Sequence, residues 1–237
     1  MAREATVSLP TYAGVEKAIP ATKSFVTQLV VLYLLALVVA QECGTVSEDE
    51  VATRLATLAK VPDLLEKQLA GWGSLVEKAA ALHKDAETYL YLGRGVHYPI
   101  AREGALKLKE SSYLHAEGYP VGELKHGPNA LVSATVPLVV VATVDREDAD
   151  SVIRYEKTLQ LLKDMKQQGA HVLAIANVGD KEIEAVAECM IPVMPLPEHL
   201  LPICEVVPLQ MFAYYMAIQN GIDVDRPRNL VKAVVTE

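Results

Sequence analysis

Residues 85–221 of the sequence predict an α/β fold on a parallel, doubly wound sheet. Short β-prone runs at 88–92, 137–143, 171–176 and 190–194 alternate with longer amphipathic segments, the order that places helices between parallel strands. The run at 137–143 (PLVVVAT) is apolar without alternation, as expected of a strand covered on both faces.

The elements follow in order. Residues 5–11 read as a strand around Pro10. A long helix follows over 22–42, with Thr22 as its cap. Residues 43–60 and 61–83 read as two more helices. Pro62 sits at a permitted early position, and Gly71-Trp72-Gly73 is expected to interrupt the second. The strand at 88–92 ends in Gly93-Arg94-Gly95, and a helix starts by Pro99. After 137–143 comes a helix over 148–168, closed by Gly169. Strand 171–176, helix 181–187, strand 190–194 and helix 202–220 complete the series. One strand ahead of the first helix cannot make a sheet. Residues 1–44 therefore read as the tail of an otherwise absent domain, 45–84 as a helical linker, 85–221 as the main domain and 222–237 as a polar tail.

Composition narrows the function. Of 237 residues, 51 % are hydrophobic and 22 % charged, which suits a packed core and not a disordered chain. A formal net charge of -8, with no basic run longer than a pair, argues against nucleic acid and anionic membranes as partners. Cys43, Cys189 and Cys204 share no metal-ligand spacing; they point to a reducing compartment, no disulfide framework and no metal. Residues 29–40 (LVVLYLLALVVA) are apolar, but twelve residues fall short of the roughly 20 that a membrane span needs. They read as a core or interface helix. The N-terminus lacks signal-peptide order, so the expected location is cytoplasmic.

Ionisable groups concentrate in residues 93–128 (GRGVHYPIAREGALKLKESSYLHAEGYPVGELKHGP). Glu103, Lys107 and Glu110 share one helical face, so Lys107 and Glu110 can meet. An ammonium beside a carboxylate favours its charged, proton-accepting form; a solvated salt-bridge stripe has the same spacing. His126 precedes Gly127-Pro128, a turn signal, and is either an acid–base group or an ordinary surface histidine. Gly93-Arg94-Gly95 ahead of a helix offers backbone N–H groups to an anion, though any tight strand–helix turn has this look. The polar stretch 225–232 is either a disordered terminus or a functional tail.

Three stretches bear on that choice: AGVEKAIPATKSFVTQL (13–29), the 93–128 segment, and DVDRPRNLVKAVVTE (223–237). In sequence, order and spacing they resemble the sugar isomerase (SIS) family, in the form of the isomerase half of glucosamine-6-phosphate synthase. The resemblance implies a flavodoxin-like SIS fold, here the end of a first SIS subdomain followed by a complete second one. It implies that Glu110 is the base moving a proton between C2 and C1 of an open-chain sugar, with Lys107 lining the same site. It assigns His126 to sugar-ring opening, lent by the neighbouring subunit of a homodimer. Lys232 would be the lysine of a tail that folds over the substrate, and Ile19 a backbone contact to the sugar. No cofactor is implied. On this resemblance the serine- and threonine-rich phosphate loops of the first subdomain, and the glutaminase domain, are expected to lie outside this sequence. Ala233 replaces a common serine, and Pro20 is unusual in its loop.

Three functions fit these residues: aldose–ketose isomerisation of a hexose or hexosamine 6-phosphate, with ammonia from a separate glutaminase; a non-catalytic sugar-phosphate sensor; and a deglycase acting on a sugar-amine phosphate. Retention of Glu110 and Lys232 favours turnover, since a sensor needs no proton shuttle.

Overall fold

The computed structural model describes residues 4–230. Five parallel strands, β1 (Thr88–Gly93), β2 (His115–Pro120), β3 (Leu138–Val141), β4 (Val172–Asn177) and β5 (Cys189–Val193), form one sheet in the order β2-β1-β3-β4-β5. This is the flavodoxin-like doubly wound order. Leu90 pairs with Leu138, and Val139 with Leu173.

The period-2 alternation of the strands divides the core. Tyr89, Tyr91, Val139 and Val141 point to one face and Leu90, Leu92, Leu138 and Val140 to the other. The first face carries α3 (Val61–Leu82), α4 (His97–Ser112) and α7 (Leu201–Gln219), with α1 (Lys23–Glu42) against it through Phe25, Val26, Leu29, Val30 and Tyr33. The second carries α5 (Ala149–Gln167), the short helix α6 (Lys181–Glu184) and a 3-10 turn at Val121–His126. The helix α2 (Glu48–Leu58) joins α1 to α3 and has no buried residue.

Four expectations change. Residues 5–11 hold no strand, because a single extended segment has no ladder to pair with. Thr22 precedes α1 but makes no side-chain cap; its hydroxyl donates to Glu16 instead. Gly71 and Gly73 do not break α3. Two helix-interior glycines cost about 1 kcal/mol each, and the intervening Trp72 offsets this by burying its ring and donating Nε1–H to Pro192 O at 2.6 Å. With Val61 and Val76 also buried in the first core, α3 is part of the sheet domain's packing. Finally, β2 (HAEGYP) is a strand where none was expected. It is an edge strand, where a terminal Pro is tolerated, and Gly118 lets α4 lie on it: a Cβ there would come 2.6 Å from Arg102 Cγ.

The length of α1 also exceeds the apolar run inside it. It is 20 residues long with mean hydropathy 2.0 and is 6 % buried, so by length and composition it is long and apolar enough to cross a membrane. Residues Glu198–Gln219, with mean hydropathy 1.4, pass the same test and are mostly core.

Candidate active site

The helix α4 returns from the carboxyl end of β1 to the start of β2, and its last turns carry the ionic cluster. Lys107 is buried. Its Nζ lies 2.7 Å from Glu110 Oε2 and 3.2 Å from Glu103 Oε1, so the three residues are one cluster and not a solvated stripe. Burial pushes the Glu103 carboxyl above its ordinary range despite the Lys107 ammonium. Glu110 is the open member, its side chain 23 % exposed against 4 % for Lys107.

The N-terminal loop closes over the buried side of this cluster. Ala18, Pro20 and Thr22 share a small hollow with Lys107, Ser111, Gln210 and Tyr214, which places Ile19 beside it. The loop is tied by Glu16, whose carboxylate accepts from Thr22 N at 2.6 Å, from the Thr22 hydroxyl at 3.0 Å and from the Ser24 hydroxyl. A carboxylate before the first turn of α1 is favoured by that helix's free N–H groups. Glu16 went unnoticed in the sequence because it stands seven residues ahead of Lys23, the first residue of the helix.

On its open side Glu110 lines a hollow of about 540 Å³ with Leu106, Lys109, Tyr113, His115, Arg228, Asn229 and Leu230. Small-molecule sites typically measure about 300–1,000 Å³. The tail is anchored here: Arg228 N–H donates to Tyr113 Oη at 2.7 Å, and its guanidinium lies 4.2 Å from the Tyr113 ring centre. Lys232 lies outside the described residues.

The remaining predicted residues sit elsewhere. Gly93, Arg94 and Gly95 form the turn into α4, about 20 Å along that helix from Glu110 at 1.5 Å per residue. Close packing accounts for both glycines: a Cβ on Gly93 would come 2.3 Å from His97 O, and one on Gly95 (φ 60) 2.6 Å from Arg154 Cδ. His126 is exposed at the end of the 3-10 turn after β2. That turn packs on the α5 side, with Lys125 paired to Asp164. Within one chain, therefore, His126 and Glu110 lie at opposite ends and on opposite faces of the sheet.

A second buried ionic network, missed in the sequence, occupies the start of α4. His97 Nδ1 is 2.9 Å from Glu205 Oε1, and Nε2 is 3.9 Å from Glu198 Oε1. Thr143 donates to Glu205, and Arg154 clasps Glu198 through Nε, at 2.8 Å, and Nη2. Burial alone would depress the His97 pKa, but Glu205 and Glu198 outweigh it and hold the pKa above its ordinary value. The charged ring thus stabilises the fold fully below the pKa of a free histidine, and that contribution fades as pH rises through the raised folded value. His97→Gln is expected to lower the melting temperature most near about pH 5 and least near about pH 8. A larger loss at the higher pH would show that the ring is buried neutral.

Residues 83–219 match the SIS domain. The chain belongs to the SIS domain family. This family match spans α4 with Lys107 and Glu110, and also His126. Over its full length the chain is 42 % identical to the glutamine–fructose-6-phosphate aminotransferase (isomerizing) of Caldanaerobacter subterraneus, and over 99 % of its length 43 % identical to that of Aquifex aeolicus. It spans only 38 % and 37 % of those two proteins. Among solved structures, the C-terminal domain of glucosamine-fructose-6-phosphate aminotransferase from Francisella tularensis superposes with TM-score 0.85 at 34 % identity, over 95 % of this chain and 61 % of that one. Glucosamine-6-phosphate deaminase from Thermotoga maritima gives TM-score 0.63 at 26 % identity, over 94 % of this chain and 59 % of that one. Both likenesses fit the SIS fold seen here.

Proposed function

We propose that this SIS chain carries the proton-transfer site of a sugar-phosphate isomerase that interconverts fructose 6-phosphate and an aldose or aminoaldose 6-phosphate. The observation that carries the reading is the Lys107–Glu110 pair: a buried ammonium 2.7 Å from a carboxylate that opens onto a hollow of about 540 Å³. Glu110 takes a proton from C1 of the open-chain ketose and returns it to C2, while the hydroxyl proton moves between O2 and O1. The intermediate is an enediol. The Lys107 ammonium lines the site where the enediol oxygens gain charge. The loop at Ile19 covers the buried side, and the resemblance assigns the tail lysine Lys232, outside the described residues, to the substrate.

In this reading His126 acts on the site of a second chain, because it cannot reach Glu110 of its own. The exposed apolar stripe of α1, with Leu32 at 60 % and Val38 at 56 % exposure, supports association, since lone proteins rarely expose large apolar patches. Ammonia from a separate source, condensing with the C2 carbonyl with loss of water before the proton moves from C1 to C2, would make the product an aminosugar phosphate, the activity named for the Caldanaerobacter and Aquifex relatives. Such metabolic partners suit a cytoplasmic location. The likeness to the Thermotoga deaminase favours a second reading, removal of ammonia from glucosamine 6-phosphate by the same base.

The test is proton exchange followed by NMR in D2O. The proposal expects deuterium at C1 of fructose 6-phosphate or C2 of glucose 6-phosphate. Ammonia release from glucosamine 6-phosphate alone would favour the deaminase reading, and no exchange into any of the three sugars would count against both.

A further inference from the structure

A second cleft, of about 490 Å³, lies at the carboxyl ends of β3, β4 and β5, far from Glu110; it is lined by Val144–Glu147, Asn177–Asp180 and Pro195–Pro197. Doubly wound sheets take ligands beyond the carboxyl ends of their strands. Two of its side chains are more than nine-tenths buried, Asn177 at 9 % and Asp180 at 8 % exposure, and each holds a polar atom with no hydrogen-bond partner among the described residues.

Their orientations are fixed by what they already bind. Asn177 Oδ1 accepts from Val144 N at 2.7 Å, which leaves Nδ2 as a free donor. Asp180 Oδ1 accepts from Ile183 N at 3.0 Å and from the Tyr155 hydroxyl at 2.9 Å. That leaves Oδ2 as a free acceptor, with Arg146 Nη2 3.9 Å away. The two residues are held on one tight turn by Asp180 N–H donating to Asn177 O at 3.1 Å, with Gly179 at φ 77. Buried polar groups are normally paired, so a free donor and a free acceptor on one turn of the cleft wall point to a ligand that both accepts and donates hydrogen bonds.

We propose that this cleft is a second small-molecule site that binds an uncharged vicinal diol, of a free sugar or of a ribose. One hydroxyl accepts from Asn177 Nδ2–H and its neighbour donates to Asp180 Oδ2. The charge of the lining selects against phosphate: Asp145, Glu147 and Asp180 face the single cation Arg146, whose guanidinium already lies 4.5 Å from the Tyr155 ring centre. The proposal stands apart from the isomerase reading and survives its failure.

The experiment titrates the ¹⁵N-labelled chain with glucose, uridine and inorganic phosphate in turn. It follows the side-chain amide pair of Asn177, identified by its loss in Asn177→Asp. Saturable shifts with glucose or uridine are expected, and the tighter of the two names the source of the diol. Two near-isosteric changes test the contacts while keeping the fold's own bonds: Asn177→Asp retains the acceptor for Val144 N, and Asp180→Asn retains the one for Ile183 N. Each is expected to weaken diol binding by about tenfold or more, read from backbone amide shifts of Val144 and Gly179. A dispersed amide spectrum confirms that each variant is folded. Phosphate binding without diol binding, no shift with any of the three, or undiminished binding by a folded Asp180→Asn chain would each overturn the proposal.

Discussion

Glu110→Gln is expected to lower deuterium exchange into the sugar phosphate by about 10²–10⁴-fold, the usual loss when a general base is removed, while the melting temperature changes little. The amide keeps the shape of the carboxylate and can still accept from Lys107 Nζ, now 2.7 Å away. It cannot take up the proton. The side chain is partly exposed and Glu103 Oε1 still pairs Lys107 Nζ at 3.2 Å, so the loss of stability is expected to be small. Comparable exchange by the variant and the parent chain would remove Glu110 from the mechanism.

The second large effect is on stability. Lys107→Met takes the cation from between two carboxylates, 3.2 and 2.7 Å away, and leaves Glu103 half-buried with its charge uncompensated. Breaking a buried pair from one side typically costs about 3–5 kcal/mol. The loss should shrink on acidification, because the Glu103 carboxyl is already pushed up by burial and a raised carboxyl makes the folded state the better proton acceptor. Adding Glu103→Gln should recover part of it. Urea melts of the single and double variants check this. An unchanged midpoint for Lys107→Met would show that the ammonium is not what holds the cluster.

What could be read from the sequence, and what could not, follows the range of the interactions. The strands at 88–92 and 137–143 were legible because their apolar runs are local patterns, and the Glu103–Lys107–Glu110 cluster because helical spacing is local too. The strand β2 was not, since His115-Ala-Glu-Gly-Tyr-Pro120 lacks a β-prone pattern, while its pairing with β1 and the close approach of Arg102 of α4 at Gly118 are contacts between distant segments. The continuity of α3 through Gly71 and Gly73 depends on Trp72 reaching Pro192, a contact no local window contains. The same holds for His97 with Glu205 and Glu198, drawn from distant segments. The separation of His126 from Glu110 needed the strand order and the assignment of each helix to a face.

That separation sets the most direct test of a site composed from two chains. Glu110→Gln chains and His126→Ala chains, each inactive in deuterium exchange, are mixed and allowed to exchange subunits. If base and histidine come from different chains, each mixed dimer has one site with both defects and one intact site. Exchange should then return to about a quarter of the parent rate, since random pairing makes about half the dimers mixed and half the sites in these intact. Activity that stays near zero in the mixture, with subunit exchange verified by mass, would contradict the shared site.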